Sequence, residues 1–89
     1  MPEYRLVFHR KAEKSLDHLD EKTKHRLLAD ILCLTTFSGQ KSNLDIAKLK
    51  GQKDFYRLRT GKLRTVFTVD KPSETIIILK IAHREKAYE

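Results

Sequence analysis

An alternating segment in the second half of the chain constrains the fold more than any other feature of the sequence. Residues 54–60 and 62–70 each alternate apolar and polar side chains, and Gly61 separates them. Alternation with a period of two is typical of strands buried on one face, and a short connection containing glycine predicts a tight hairpin. The chain is therefore expected to contain an antiparallel pair of strands whose apolar face packs against another element.

The two faces of this predicted hairpin differ in chemistry. Side chains alternate across a strand, so one face carries the apolar residues Leu58, Leu63, Phe67 and Val69. The opposite face carries Arg57, Arg59 and Arg64. Because helices pack on an apolar sheet face, we expect the arginines to lie on the uncovered face. Like charges held close together cost free energy in the isolated protein, which indicates that this face binds an anion.

Two helices are predicted ahead of the hairpin. The first has an apolar stripe of Ala12, Leu16 and Leu19. The second is longer, with Asp20 as its N-cap and Gly39 at its end. Its wide apolar face includes Cys33, which we expect to be buried as a small apolar residue.

The other segments complete the predicted fold class. Residues Tyr4–His9 alternate and are rich in β-forming residues, which predicts a first strand. Residues 38–50 have little period and predict a loop. The unbroken Ile/Leu run within residues 75–83 predicts a central strand buried on both faces. The order β-α-α-β-β-β indicates an α+β fold, in which a helical hairpin packs on one face of a mainly antiparallel four-stranded sheet.

Length and composition exclude several classes of protein. The chain has 89 residues, which suits a single domain, residues 1–89, with a modest core. It has no apolar run of about 18 residues and no apolar segment near its start, so neither a transmembrane helix nor a secretion signal is predicted. One cysteine cannot form an internal disulfide, and we expect a cytoplasmic protein.

Positive charge is concentrated in the second half of the chain. The formal net charge is +7, and residues 48–89 contribute +6 of it, with eleven Lys/Arg against five Asp/Glu. A localised basic surface raises the local concentration of polyanions. Nucleic acid or an acidic protein segment is therefore the expected partner. No basic amphipathic helix favours a membrane surface.

Three residues at the end of the last strand extend the predicted anion site. Arg84 is expected to reach the arginine face because it shares the parity of Ile78, Lys80 and Ala82. His83 can transfer protons near neutral pH, and Tyr88 can stack on a base. With the arginine forks, these residue types suit RNA transesterification, in which a 2′-OH attacks the adjacent phosphate.

The remaining polar residues predict binding without a metal. Lys48, Lys50 and Lys53 are expected to add nonspecific attraction for phosphates. The histidines and carboxylates show no metal-ligand spacing, so we predict neither a metal site nor another cofactor.

The order of these motifs resembles that of the RelE/ParE superfamily of toxins from bacterial and archaeal toxin–antitoxin systems. The resemblance rests on YRLVFHRKAEKSLDHLD at the start, KLKG before the sheet, YRLRTGKLRTVFTVD in the hairpin and IIILKIAHREKAY at the end. It implies the RelE-like microbial RNase fold and, in the RelE branch, an endoribonuclease that cuts mRNA in the ribosomal A site. It also implies a cognate antitoxin that wraps the toxin, and contact with operator DNA only through the antitoxin complex.

The resemblance also implies roles for individual arginines. Arg57 and Arg59 match cations that contact the RNA backbone. Arg64 matches the arginine that stabilises the transition state, and Arg84 matches a second essential arginine. Tyr88 matches a tyrosine that some members use as a base and for stacking.

The groups that transfer protons are left open by the resemblance. His83 matches a position that is histidine or lysine across members. Either His83, Tyr88 or a lysine could be the base, and another of them the acid.

Two alternative functions also fit the sequence. ParE-type toxins resemble this chain in fold, inhibit DNA gyrase and cleave no RNA. A nonenzymatic nucleic-acid-binding module is the second alternative. The cluster of arginines on one face beside His83 and Tyr88 favours the ribonuclease over the gyrase inhibitor, and the binding module stays open.

Overall fold

Five strands and two helices make up the part of the chain that the computed structural model describes, which is residues 4–36, 44–49, 51 and 54–83. The strands are β1 (Arg5–Phe8), β2 (Asp45–Lys48), β3 (Phe55–Thr60), β4 (Leu63–Asp70) and β5 (Thr75–His83). The helices are α1 (Arg10–Asp17) and α2 (Glu21–Cys33), and a 3₁₀ turn, Leu34–Thr36, follows α2. The second helix was predicted to end at Gly39, but α2 ends at Cys33, with Leu34 as its C-cap.

The strands form one mixed sheet in the order β1-β5-β4-β3-β2. Only β1 and β5 pair in parallel; the other neighbours are antiparallel. The predicted α+β class is confirmed, but the predicted count of four strands is wrong. The fifth strand, β2, lies within the segment predicted as a loop. Its four residues are too few to show a period, and they become a strand because they pair with the edge of β3.

Both helices start at side-chain caps. Oδ2 of Asp20 accepts a hydrogen bond from the backbone N–H of Thr23 at 3.1 Å, which confirms the predicted N-cap of α2. Hydrogen bonding from the Thr23 side chain, and then from its backbone N–H, lowers the pKa of the Asp20 carboxyl. In α1, Nδ1 of His9 accepts from the N–H of Lys11 at 3.1 Å. Neither helix, within the described part of the chain, is long and apolar enough to cross a bilayer.

The core is a single apolar layer between the helices and one face of the sheet. Leu58, Phe67 and Ile78 come from three neighbouring strands and are buried. Ala12 of α1 and Leu27 of α2 close the layer from the other side. The remaining buried apolar residues are Ile31, Leu34, Leu63, Val69, Ile76 and Ile81.

Cys33 is exposed, so the expectation that it is buried is wrong. The buried positions of this segment are Leu27, Ile31 and Leu34, which follow helical spacing along one stripe. Cys33 and its neighbour Leu32, which is 59% exposed, lie outside that stripe. The apolar run is longer than the stripe that the sheet can cover.

Strand β5 is a central strand, as predicted, but the predicted burial on both of its faces is wrong. It lies between β1 and β4, and burial alternates along it. The alternation is interrupted once, because Val66 pairs with Lys80 while Phe67 pairs with Ile78. This β-bulge leaves Leu79 as the extra residue and inverts the side-chain parity of everything that follows.

A two-residue turn joins β3 and β4, as predicted. Gly61 has a φ of 58°, in the left-handed region that favours glycine. Thr60 and Leu63 face each other across the turn. Thr60 is tied to α2, because its hydroxyl donates a hydrogen bond to Oδ2 of Asp30 at 2.8 Å.

Candidate nucleic-acid interface

The sheet face opposite the helices carries the predicted arginines, and we call it the open face. Strand pairing aligns its side chains in rows that cross the sheet. One row is Asp45, Arg59, Arg64 and Ala82, and the next is Ala47, Arg57, Val66 and Lys80. These two cationic rows lie next to each other because residues of one face repeat every second position along a strand. The expectation that the three arginines share the sheet face opposite the helices is confirmed.

Arg59 and Arg64 are direct cross-strand neighbours. Cβ atoms of such pairs lie about 4.5–5.5 Å apart, and like charges in this position are destabilising. Arg57 occupies the adjacent row, and Lys80 stands across β4 from it. Four cations from three strands therefore lie within two rows, an arrangement that favours an anion able to contact several of them at once.

Two of the arginines, Arg57 and Arg59, have guanidinium groups that are only partly paired with other described residues. Nε of Arg59 lies 3.6 Å from Oδ2 of Asp45, and the two side chains are 46% and 53% exposed. An ion pair this exposed contributes little to stability. Nη1 of Arg57 is buried and makes no hydrogen bond to any described residue. A buried donor left without a partner costs about 1–3 kcal/mol, and an anion bound at this face could remove that cost.

A small pocket lies at the turn end of the cationic rows. It has a volume of about 150 Å³ and is lined by Arg59, Gly61, Lys62 and Arg64. Three of these four residues are cationic, and Gly61 lets an anion approach the backbone because it has no side chain. The pocket is therefore suited to an anionic group such as a phosphate.

The other predicted site residues divide into two groups. Lys48 pairs with Tyr56 and His83 pairs with Leu63, so both lie on the helix side of the sheet rather than on the open face. Lys50, Lys53, Arg84 and Tyr88 lie outside the described residues. Among the residues that are described, no group of three or more His, Cys, Asp or Glu side chains could hold a metal ion.

The β-bulge in β5 decides which residues of the second half of the strand lie on the open face. Ile78 is buried against the helices, so parity with Ile78 does not lead to the open face. Lys80 and Ala82 reach that face only because the bulge inverts the parity after Ile78. Lys80 therefore joins the cationic rows, a position that the parity argument implied but to which we gave no role in the sequence analysis.

Comparisons with known proteins show which family this chain is similar to in sequence. A sequence model of the ParE toxin of the type II toxin–antitoxin system parDE matches residues 6–88. The chain belongs to the RelE/ParE toxin superfamily. The RelE1 protein of Methanocaldococcus jannaschii is 34% identical over 86 residues, covering 97% of this chain and 96% of the relative. Toxin RelE3 of the same organism is 30% identical over 86 residues, covering 96% of each.

The RelE/ParE assignment extends to the three-dimensional structure. The archaeal RelE-RelB complex from Pyrococcus horikoshii OT3 contains a chain that superposes with a TM-score of 0.79. That chain is 30% identical in sequence, and the match covers 94% of this toxin and 98% of the relative. The RelE-like fold predicted from the motifs is thereby confirmed.

Proposed function

We propose that this RelE/ParE toxin is an endoribonuclease that cuts mRNA on the ribosome and binds the RNA backbone on its open face. The observation that carries the proposal is the pair of cationic rows, in which Arg57, Arg59, Arg64 and Lys80 lie on adjacent positions of three strands. Arginine forks bind phosphates through two hydrogen bonds each. A face that collects arginines at the expense of stability is suited to a ligand with several phosphates.

The proposed reaction is a transesterification within the RNA. The 2′ oxygen forms a bond to the adjacent phosphorus, and the bond from phosphorus to the 5′ oxygen breaks. The products are a 2′,3′-cyclic phosphate and a 5′-hydroxyl. Negative charge accumulates on the phosphorane oxygens in the transition state, and Arg64 is proposed to stabilise it.

Proton transfer is assigned to groups near the end of β5. The 2′ proton must leave and the 5′ oxygen must gain one, so a base and an acid are needed. Tyr88 and Arg84 are proposed for the site by their match to the superfamily. We assign His83 to the helix side of the sheet, because its cross-strand partner Leu63 is buried there. Lys80, whose amine can carry a proton, lies on the open face.

An antitoxin is the proposed protein partner. The relative from Pyrococcus horikoshii was solved as a RelE-RelB complex. In this chain, the cationic rows would attract the carboxylates of an acidic partner. We propose that the cognate antitoxin covers the open face and thereby excludes RNA from it.

Cleavage of ribosome-bound mRNA tests the proposal. Purified toxin, ribosomes and a defined mRNA are expected to give new 5′-hydroxyl ends, and an mRNA with a 2′-O-methyl group at the cut site should stay intact. Arg64→Ala should raise the barrier by about 3–4 kcal/mol, which slows cleavage about 10²- to 10³-fold. Lys71→Ala is the matched control, since Lys71 is exposed in the turn that follows β4. Arg64→Ala cutting at the wild-type rate would overturn the assignment of Arg64.

Inhibition of DNA gyrase is the second candidate function. It is favoured by the family description that matches residues 6–88, which names the ParE toxin. Expression of the toxin with intact transcripts but gyrase-dependent DNA breaks would establish this function instead. Cut transcripts without DNA breaks would support the ribonuclease.

A further inference from the structure

A second basic surface lies on the helix side of the sheet, around the turn between β3 and β4. It is a groove with a volume of about 510 Å³. Its lining combines five basic or imidazole side chains, which are Lys22, His25, Arg26, Lys62 and His83. The other described lining residues are Thr23, Thr60, Gly61 and Leu63, so none of the described residues that line the groove carries a carboxylate. We call it the turn groove.

Three elements bring these side chains together. Lys22, His25 and Arg26 have the i, i+3 and i+4 spacing that places them on one face of α2. Lys62 comes from the turn, and His83 from the end of β5, where it pairs with Leu63. The residues are separated by up to 61 positions in the chain, from Lys22 to His83, so the sequence itself gives no cluster to notice.

The turn groove adjoins the cationic pocket on the open face. Gly61 and Lys62 line both cavities. A β-carbon at Gly61 would lie 3.7 Å from Nη1 of Arg26, so this guanidinium lies beside the turn. Arg59 and Arg64 stand on one side of the turn and Arg26 on the other. Only a two-residue turn, with no side chain at Gly61, separates the two sets of cations.

We propose that the turn groove holds the continuation of the RNA strand whose phosphates bind the open face. This inference rests on the proposed ribonuclease function and extends the RNA site beyond the scissile phosphate. A strand that leaves the pocket of Arg59 and Arg64 passes around Gly61 and places its next phosphates beside Arg26 and Lys22. Grooves that follow a single strand are lined with positive charge in this way.

The charged groups of the lining fit a phosphodiester backbone. Leu63 is the one aliphatic residue among the described lining residues, and it is only 3% exposed. Protein interfaces have apolar or aromatic anchors at their centre, and the described lining offers none that is exposed. A strand with a charged phosphate on every unit fits these basic side chains.

Binding of short RNAs of two lengths tests the inference. Fluorescent 2′-O-methyl oligonucleotides of about 4 and about 10 nucleotides lack the nucleophile, so they report binding alone. The wild-type toxin should bind the longer RNA about tenfold or more tightly than the shorter one. The variant Lys22→Glu/Arg26→Glu should remove this advantage and reduce the salt dependence for the longer RNA by about 1.4 in slope, at about 0.7 per lost phosphate contact.

Two controls separate the groove from other effects. Lys71→Glu/Lys11→Glu makes the same change of charge at exposed positions that do not line the groove, and it should preserve the length advantage. Both variants should retain the wild-type midpoint of urea unfolding, because all four substituted residues are exposed. Arg57→Ala should weaken both RNAs alike.

Several outcomes would overturn the inference. Equal affinity of the wild type for both lengths would do so, as would equal weakening of both RNAs by Lys22→Glu/Arg26→Glu. If Lys22→Glu/Arg26→Glu loses binding to an oligoglutamate peptide while its RNA binding is unchanged, the groove binds an acidic protein instead. If the toxin cleaves no mRNA but still prefers the longer RNA through Lys22 and Arg26, the ribonuclease is refuted and the RNA groove is retained. The two failures are therefore distinguishable.

Discussion

Neutralising Asp45 should increase RNA binding while it slightly lowers stability. Asp45 is the only acidic side chain in the two described cationic rows, and its carboxylate lies 3.6 Å from the Arg59 guanidinium. Asp45→Asn keeps the size of the side chain and removes its charge. Arg59 would then meet an incoming phosphate without competition from its own neighbour.

The structure sets the size of both effects. Two unit charges 3.6 Å apart attract by about 1.2 kcal/mol in bulk water. Ordering of the two exposed side chains reduces the net contribution of such pairs to about 0.2–1 kcal/mol. The free energy of unfolding should therefore fall by less than about 1 kcal/mol. The same interaction no longer opposes RNA binding, so affinity should rise by up to about fivefold at low salt.

Fluorescence anisotropy with a 2′-O-methyl RNA measures the binding, and urea unfolding measures the stability. The gain in affinity should shrink as salt is raised, because exposed charges are screened. Asp70→Asn is the matched control: Asp70 lies on the same face of β4 as Arg64, at the far end of the strand. The reasoning is refuted if Asp45→Asn binds RNA no better than Asp70→Asn, or binds it more weakly than the wild type.

Three further predictions concern stability and are measured by urea unfolding. Ile78→Val should lower the unfolding free energy by about 0.5–1.5 kcal/mol, because Ile78 is fully buried; an equal loss from Ile77→Val, on the open face, would contradict this. Gly61→Ala should cost about 1–2 kcal/mol, since φ is 58° and the added β-carbon would lie at an ordinary van der Waals distance, 3.7 Å, from Nη1 of Arg26, and Gly61→Asn should recover part of the loss. Asp20→Ala should destabilise at neutral pH. Because the pKa of Asp20 is lowered in the folded protein, its contribution to stability is present above the pKa of the unfolded chain and is lost as the pH falls through the folded pKa. A stability difference between Asp20→Ala and the wild type that persists in strong acid would contradict the capping role.

Local patterns were sufficient to predict which face most of the hairpin side chains occupy. Leu58, Leu63 and Phe67 are buried, and Arg57 and Arg64 lie on the open face. Alternation is a property of the extended backbone itself, so it can be read from the sequence wherever a strand is regular. The cap of α2 was predictable for the same kind of reason, since it depends on residues only three positions apart.

Features that depend on distant partners were not predictable from the sequence. Strand β2 has four residues and exists through its pairing with β3. The bulge in β5 responds to the register of β4, and it alone decides that Lys80 reaches the open face. His83 was expected beside the arginines, yet its cross-strand partner Leu63 places it on the helix side.

The sequence alone therefore determined the chemistry of this toxin's surfaces, because charge and alternation are local properties of the chain. The tertiary structure decided which surfaces adjoin one another. The cations of α2 meet those of the hairpin only because the sheet and helix pack around a shared turn at Gly61. Contacts between residues far apart in the chain depend on strand register and packing, which no short stretch of sequence encodes.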